Sequence, residues 1–176
     1  MITCVFGKRG VGKTTYLKSV VKNSIYSCII IDTLREYEDI AERFYYFEDM
    51  YKNFKGCFTP NNENDLIILL MDLERIYHKY PINIIISEID YWTNSYYLPE
   101  AVMNLFRYSR HYNFNIFCDC RTPMELNRKI SALADIFIIF KITEPRYLEY
   151  FKLYGGQDLI NKIKKLKLYE YLTLNI

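Results

Sequence analysis

The chain has 176 residues, of which 51% are apolar and 25% charged, and this balance predicts one globular domain over 1–176. Its net charge of only +2 excludes a chain that is basic throughout, so contact with nucleic acid would need a local patch. The apolar runs fall far short of the roughly 20 residues of a membrane span, which excludes a membrane-spanning helix. Five cysteines, an odd number, without an N-terminal targeting pattern favour reduced thiols in a cytoplasmic setting.

The first predicted element is a short, apolar and β-prone strand, Ile2–Phe6, which leads into a glycine-rich loop. The residues from Gly7 to Thr15 read GKRGVGKTT and fit the phosphate-binding P-loop pattern G-x-x-x-x-G-K-[ST]. A helix is predicted directly after the loop, so its free N–H groups and its positive dipole end would face the same anion. A glycine-rich turn without a ligand is the alternative, but strand, loop and helix together favour a nucleotide site.

Each residue type in this loop suits the binding of a nucleoside triphosphate. The glycines allow backbone N–H groups to turn towards phosphate oxygens. Lys13 offers a positive charge to the β- and γ-phosphates, and the Thr14 hydroxyl is expected to bind Mg²⁺. The expected nucleotide-binding residues of the loop are Gly7, Lys8, Arg9, Gly10, Val11, Gly12, Lys13, Thr14 and Thr15.

A second apolar strand, Cys28–Asp32, ends in a carboxylate. Asp32 is expected either near the nucleotide, at the carboxyl edge of a parallel sheet, or as a cap of the next turn. Segment 40–55 is rich in aromatic residues and is compatible with a helix or an added strand, and a short strand is expected at Cys57–Phe58. The aromatic residues of this ambiguous segment are Phe44, Tyr45, Tyr46, Phe47 and Tyr51.

The next element is an amphipathic helix from about Leu66 to Tyr80, because leucines recur there at helical spacing. Asn64 or Asp65 can cap its start, and Pro81 ends it. His78, near the helix end, is interpreted as a solvated cation next to the helix dipole.

Four isoleucines followed by Ser-Glu, in Ile82–Glu88, resemble the Walker B strand of P-loop NTPases. Such a strand is expected to lie beside the P-loop strand and to present its carboxylate to the attacking water or to Mg²⁺. Glu88 is the expected general base, and Ser87 stands at the metal-side position. The alternative is a buried strand that ends in a surface carboxylate. Asp90 is a weaker candidate.

A helix is expected from Glu100 towards His111, and its last turn carries Arg107 and Arg110. One interpretation is that these cations answer the negative end of the helix dipole. The other is that one of them is an arginine finger, a cation that stabilises transition-state charge on a neighbouring subunit's phosphate.

The remaining chain continues the alternation of strands and helices, which predicts an α/β fold with a mostly parallel sheet. Strands are predicted at Phe114–Cys120, Asp135–Phe140 and Glu170–Leu174, and helices at Met124–Leu133, Arg146–Tyr154 and Leu159–Lys164. Cys118 and Cys120 would need a second pair of ligands to hold a metal, so buried thiols are expected. The lysine cluster is interpreted as a solvated face, with contact to the DNA backbone as the alternative. Its members are Lys162, Lys164, Lys165 and Lys167.

In their order along the chain, these motifs resemble the FtsK–HerA superfamily of P-loop ATPases, particularly the compact viral genome-packaging ATPases and their zonula occludens toxin-like relatives. The segments that carry the resemblance are Gly7–Thr15, Ile29–Glu36 with Asp32, Ile84–Glu88, Arg107–Ile116, Arg121 to Pro123, and Ala134–Asp135. The resemblance implies a RecA-like fold and a ring, commonly hexameric, with ATP and Mg²⁺ at the subunit interfaces and DNA through the centre. It also implies that Glu88 activates water and that Arg107 or Arg110 reaches a neighbour's site.

Two positions depart from the pattern of that superfamily. Ser87 stands where the metal-side Asp is usual, and no Gln ends the fourth strand, where a polar sensor is implied. Arg121 or Cys120 occupies this sensor position. The toxin-like relatives often carry a membrane segment, which favours the packaging branch for this chain.

The predicted function is an ATPase that translocates double-stranded DNA and packages a viral genome, in the host cytoplasm and transiently on a capsid or portal component. Its predicted site consists of Lys13, Glu88, Arg107 and Arg110 as catalytic residues, Arg121 beside the nucleotide, and Thr14 and Ser87 at Mg²⁺. The alternative is a P-loop kinase of a nucleotide or small metabolite, with Arg128 and Lys129 in a lid. A strand that ends in Ser-Glu is not what a kinase needs, and a GTPase would need an N-K-x-D motif, which is absent.

Overall fold

The computed structural model describes residues 1–44, 54–76 and 81–176, with the backbone alone for 74–76. Its strands are β1 (Ile2–Phe6), β2 (Ser27–Ile31), β3 (Glu42–Arg43), β4 (Lys55–Phe58), β5 (Ile82–Ile86), β6 (Phe114–Cys120), β7 (Ile136–Phe140) and β8 (Tyr171–Asn175). Its helices are α1 (Lys13–Asn23), α2 (Glu63–Ile76), α3 (Glu100–Tyr108), α4 (Arg128–Ser131) and α5 (Pro145–Lys165), with a 3₁₀ turn at Ile89–Tyr91.

The described strands form one eight-stranded sheet in the order β3-β4-β2-β5-β6-β1-β7-β8. Every pairing is parallel except that of β7 with β8. Since parallel strands end at the same edge, the segments after β1, β2, β5 and β6 gather at what we call the carboxyl edge of the sheet. This is the predicted α/β, RecA-like fold, with a mostly parallel sheet flanked by helices.

The expectation that the Walker B-like strand lies beside the P-loop strand is wrong. β5 pairs with β2 and β6, and β6 lies between β5 and β1. After β5 the chain crosses over through α3 and returns as the neighbouring strand β6, as consecutive strands commonly do. The strand closest to the P-loop strand on this side is therefore β6.

Apolar side chains from both faces of the sheet are buried under helices. Leu17 and Val21 of α1 cover one face, where Ile30 and Val5 point. α2, α3 and α5 cover the other face, which contains most of the core. Strands buried on both faces explain the continuous apolar runs in the sequence. Among the described residues, no helix combines the length and the apolar composition of a membrane crossing.

Several boundaries differ from the predicted ones. The two helices predicted around Gly155 and Gly156 are present as α5, whose backbone is non-helical at these two glycines. α2 begins earlier than predicted, and its cap is Asn62, whose Oδ1 accepts the Asp65 N–H at 3.0 Å. α3 stops at Tyr108, and α4 is only four residues long. The last strand, β8, is an antiparallel edge strand.

The aromatic segment is described only at its ends, where Phe44 and Phe54 are buried and their rings pack against each other. The predictions for Tyr45, Tyr46, Phe47, Tyr51 and His78 lie outside the described residues. All five cysteines are buried free thiols, as expected.

A candidate nucleotide site at the carboxyl edge

The P-loop joins β1 to α1 through glycines in the left-handed region. Gly10 and Gly12 have φ values of 83° and 112°, which favour glycine. A Cβ atom on Gly12 would also lie 2.9 Å from the Tyr169 ring, so a side chain there would displace that ring. α1 begins at Lys13, and its first hydrogen bond runs from the Tyr16 N–H to the Gly12 carbonyl at 2.9 Å. The N–H groups of the first turn remain available to an anion.

A cavity of about 290 Å³ opens over this loop. Its lining residues are Arg9, Gly10, Gly12, Lys13, Thr14, Thr15, Leu34, Glu36, Glu88 and Tyr169. They come from the P-loop, the segment after β2, the end of β5 and the α5–β8 connection. Lys13, Thr14 and Glu88, which the sequence predicts to act on one nucleotide, therefore share one cavity.

Lys13 lies at the base of the cavity with only 6% of its surface exposed. Its Nζ donates to the Lys8 carbonyl at 3.4 Å and lies 3.6 Å from Asp119 Oδ2. The ammonium is thus held by oxygen atoms of the chain itself. A triphosphate that enters the cavity would compete with Asp119 for this charge.

Asp119 is a site residue that sequence reasoning missed. It lies on β6 in register with Val5 of the P-loop strand, and its Oδ1 accepts the Glu88 N–H at 2.9 Å. Burial raises the pKa of Asp119 to about 6, although the Lys13 charge acts in the opposite direction. A signal was available in the sequence, because Asp119 is the only Asp, Glu, Lys or Arg in strand 114–120, where Asn115 is the one other polar residue.

Glu88 follows β5 in a left-handed backbone conformation, with φ at 51°. The hydrogen bond from its N–H to Asp119 holds this turn. The carboxylate is 13% exposed, and its Oε2 accepts a hydrogen bond from Arg121 Nη2 at 2.5 Å. Cys120, the other candidate for the sensor position, is buried, and its thiol donates to the Thr122 carbonyl. Arg121 is therefore the residue of this pair that contacts the candidate base.

The segment after β2 brings a further carboxylate to the P-loop. Thr14 Oγ1 donates to Glu36 Oε2 at 3.1 Å. Asp32 is buried, and its two carboxylate oxygens accept the N–H groups of Glu36 and Tyr37, each at 2.9 Å. Of the two interpretations of Asp32, the cap of the following turn is therefore correct. Glu36 was not among the predicted site residues, since nothing in its local sequence separates it from the other surface acids.

The cavity offers oxygen ligands of the kind that Mg²⁺ prefers: the Thr14 hydroxyl and the carboxylates of Glu36 and Glu88. It therefore fits a nucleotide together with its cation. Ser87 is only 2% exposed, its N–H donates to Ile31 and its carbonyl accepts from Thr33. It is not among the described residues that line the cavity, and its contact with a metal stays a prediction.

The two predicted finger arginines lie far from this cavity. Both are exposed at the end of α3, next to the opposite end of the strands, which we call the amino edge of the sheet. Arg110 Nη2 pairs with Asp135 Oδ1 at 2.8 Å, directly before β7. Asp135 also accepts the Ile2 N–H at the start of β1. Arg107 and Arg110 therefore lie at the opposite end of the strands from the P-loop of their own chain.

Other predicted cations divide between the site and the surface. Lys8 forms an ion pair with Glu144, and Arg9 lines the cavity. Arg128 and Lys129 are exposed on α4 and are not among the described residues that line this cavity.

A second cluster of acidic side chains lies close to Arg121. The carboxylates of Asp90 and Glu125 and the Cys120 thiol have ligand atoms within 4.8 Å of one another. Burial raises the pKa of Asp90 to about 6, and within the described part of the chain its Oδ1 has no hydrogen-bond partner. Both carboxylates add to the negative field around the Arg121 guanidinium.

A parallel sheet with a P-loop between β1 and α1, and a glutamate beside an arginine at the same edge, defines the class of P-loop ATPases. The sequence profile of the ATPase family associated with various cellular activities (AAA) matches residues 3–141. The chain belongs to this family and is an ATPase.

Solved structures with a similar fold include viral packaging enzymes and a conjugation coupling protein. The genome packaging NTPase B204 of Sulfolobus turreted icosahedral virus 2, in complex with ATP-gammaS, has a TM-score of 0.81 and 21% identity, over 99% of this chain and 91% of that chain. B204 of Sulfolobus Turreted Icosahedral Virus, a DNA-packaging ATPase, has a TM-score of 0.77 and 21% identity, over 99% and 92%. The pCW3 conjugation coupling protein TcpA has a TM-score of 0.59 and 13% identity, over 99% and 57%.

No curated protein matched the sequence. At these identities the matches establish the fold, and the predicted resemblance to viral genome-packaging ATPases is confirmed at that level.

Proposed function

We propose that this chain is an ATP-driven motor that translocates double-stranded DNA and packages a viral genome into a capsid. One observation carries the proposal. A chain that matches packaging NTPases over 99% of its length also holds the candidate base Glu88 in the cavity of its P-loop. The B204 proteins are described as genome packaging and DNA-packaging enzymes.

The residues of the cavity have distinct roles in this proposal. Lys13 exchanges its contact with Asp119 for the β- and γ-phosphates of ATP, and Thr14 holds Mg²⁺ with its hydroxyl. The bound cation neutralises phosphate charge. Glu88 accepts a proton from the attacking water, and Arg121 passes from Glu88 to the γ-phosphate, which frees the base in the nucleotide-bound state. The Ser87 side chain is buried next to Glu88. It would contact the cation only if the backbone turn shifted or if a water molecule lay between them.

The remaining positive charge comes from a neighbouring subunit. A hexameric ring would bring the amino edge of one subunit, with Arg107 and Arg110, to the carboxyl edge of the next. The exposure of both arginines and their distance from their own P-loop support this arrangement. Double-stranded DNA would pass through the ring, which would act in the host cytoplasm and dock transiently on a capsid or portal component.

The experiment is a phosphate-release assay on the native protein and on Glu88→Gln, each with and without double-stranded DNA. The native protein should release phosphate slowly, and DNA should raise the rate. Glu88→Gln should bind ATP but lose roughly 10² to 10⁴ in turnover, because a general base contributes about that much.

The matched control is Glu149→Gln, since Glu149 lies exposed on α5, where its carboxylate pairs with Lys152. It should turn over ATP as the native protein does. Unchanged turnover in Glu88→Gln would remove the proposed mechanism. Phosphate that appears on an acceptor rather than in solution would establish a kinase instead, and a rate independent of DNA would contradict the motor.

A further inference from the structure

The end of β5 lacks the acidic residue that the resemblance places next to the metal. Ser87 occupies that position, with a neutral and buried side chain. A magnesium nucleotide in the cavity would therefore need its protein carboxylate from another element.

Among the described residues, two carboxylates line the cavity, those of Glu36 and Glu88. Glu88 has the role of general base in the proposed mechanism, which leaves Glu36 for the cation. Asp32 and Asp119 are buried, where Asp32 accepts two backbone N–H groups and Asp119 accepts the Glu88 N–H. Within 1–44, 54–76 and 81–176, the Glu36 carboxylate accepts one hydrogen bond, from Thr14 Oγ1.

This hydrogen bond orients the hydroxyl that faces the phosphates. A threonine hydroxyl has one proton to donate and two lone pairs to offer. With the proton directed at Glu36, a lone pair is left for a cation in the cavity. The glutamate also adds negative charge next to that cation, as outer-shell carboxylates do at other metal sites.

The backbone that carries Glu36 is fixed before any ligand binds. Its N–H donates to Asp32 Oδ1 at 2.9 Å, and Asp32 is fully buried. The segment after β2 is thus tied to the sheet, and the Glu36 carboxylate contacts Thr14 at the start of α1.

We propose that Glu36 replaces the missing β5 acid as the positioning carboxylate of the Mg²⁺ site, acting through the Thr14 hydroxyl. This inference rests on the proposed ATPase site, but it concerns cation binding and is independent of DNA or motor function.

The test is the affinity for ATPγS, measured by calorimetry on the full chain in EDTA and in excess Mg²⁺. Glu36→Gln should lose about tenfold to a hundredfold of the gain that Mg²⁺ gives the native protein. In EDTA the variant should bind as tightly as the native protein or more tightly, since one negative charge near the phosphates is gone.

Two further variants separate this role from a general effect on the fold. Glu38→Gln changes an acid two residues away that lies 3.7 Å from Arg43, and it should keep the full Mg²⁺ gain. Thr14→Val removes the hydroxyl, and adding Glu36→Gln to it should cost little more, because the two residues act as one unit.

An equal Mg²⁺ gain in Glu36→Gln and the native protein would overturn the inference, as would native binding that does not respond to Mg²⁺. A Mg²⁺-dependent native protein that DNA does not stimulate would contradict the motor but leave the role of Glu36 standing.

Discussion

The charged side chains at the two edges of the sheet differ in their exposure to solvent. At the carboxyl edge, Lys13, Asp119 and Glu88 are largely buried and held by partners within the chain. At the amino edge, Arg107 and Arg110 lie exposed at the end of a helix, and Arg110 is 77% exposed even in its ion pair with Asp135. One edge gathers paired charges around a cavity, and the other presents cations outward.

This difference indicates how the two halves of an ATPase site could be divided. Lys13, the Thr14 hydroxyl and the candidate base Glu88 line the cavity, and Arg121 contacts Glu88. In the proposed ring, the exposed arginines of the other edge would supply a second copy of the chain with a cation for the charge that develops in the transition state.

The largest effect is expected at the amino edge. Arg107→Ala or Arg110→Ala should lower turnover about 10³-fold while leaving nucleotide affinity unchanged, because a finger acts on the transition state. Steady-state phosphate release and ATPγS binding on the same samples measure the two quantities.

Asp135→Asn is the control for this prediction, because it breaks the ion pair of Arg110 but keeps the arginine. An exposed pair contributes little to stability, so this variant should remain active. Full activity in both arginine variants would leave the amino edge without a catalytic role.

A smaller effect is expected from the buried charge at the carboxyl edge. The pKa of Asp119 is raised from 3.8 to about 6, so the folded protein keeps a proton there that the unfolded chain releases. Its contribution to stability is therefore present below pH 3.8, declines as pH rises through this window and levels off above about 6. The stability of the native protein relative to Asp119→Asn should fall by about 3 kcal/mol from the bottom to the top of the window.

Urea unfolding across this pH range measures the difference. Asp39→Asn serves as a control of opposite sign, since Lys18 lowers the pKa of the exposed Asp39 and its contribution is lost as pH falls. If the free energy of unfolding changes with pH in the same way for Asp119→Asn and the native protein, burial does not raise the pKa of Asp119.

The sequence predicts the elements of the carboxyl edge better than their arrangement. The P-loop, β1 and β6 follow from local patterns, because a buried parallel strand is a continuous apolar run and a P-loop has fixed spacing. The order of strands is decided by crossover connections and by packing, which no local pattern encodes, and so β5 was expected next to β1.

Asp119 and Glu36 were missed for the same reason. Asp119 becomes a site residue only because β6 lies between β5 and β1, where its carboxylate meets Lys13 and the Glu88 N–H. Glu36 becomes one only because Asp32 folds the segment after β2 over α1. Both depend on contacts between residues far apart in the chain, whereas Lys13 and Thr14 are defined by their neighbours.

The central claim is that each nucleotide site is shared between two subunits, and mixing variants tests it most directly. Glu88→Gln and the inactive arginine variant are each nearly inactive alone, but a mixed ring contains interfaces where an intact Glu88 meets an intact arginine. Random mixing of equal amounts should restore about a quarter of native phosphate release, since about one interface in four combines both intact residues. A mixture no more active than the sum of its two components would contradict a shared site.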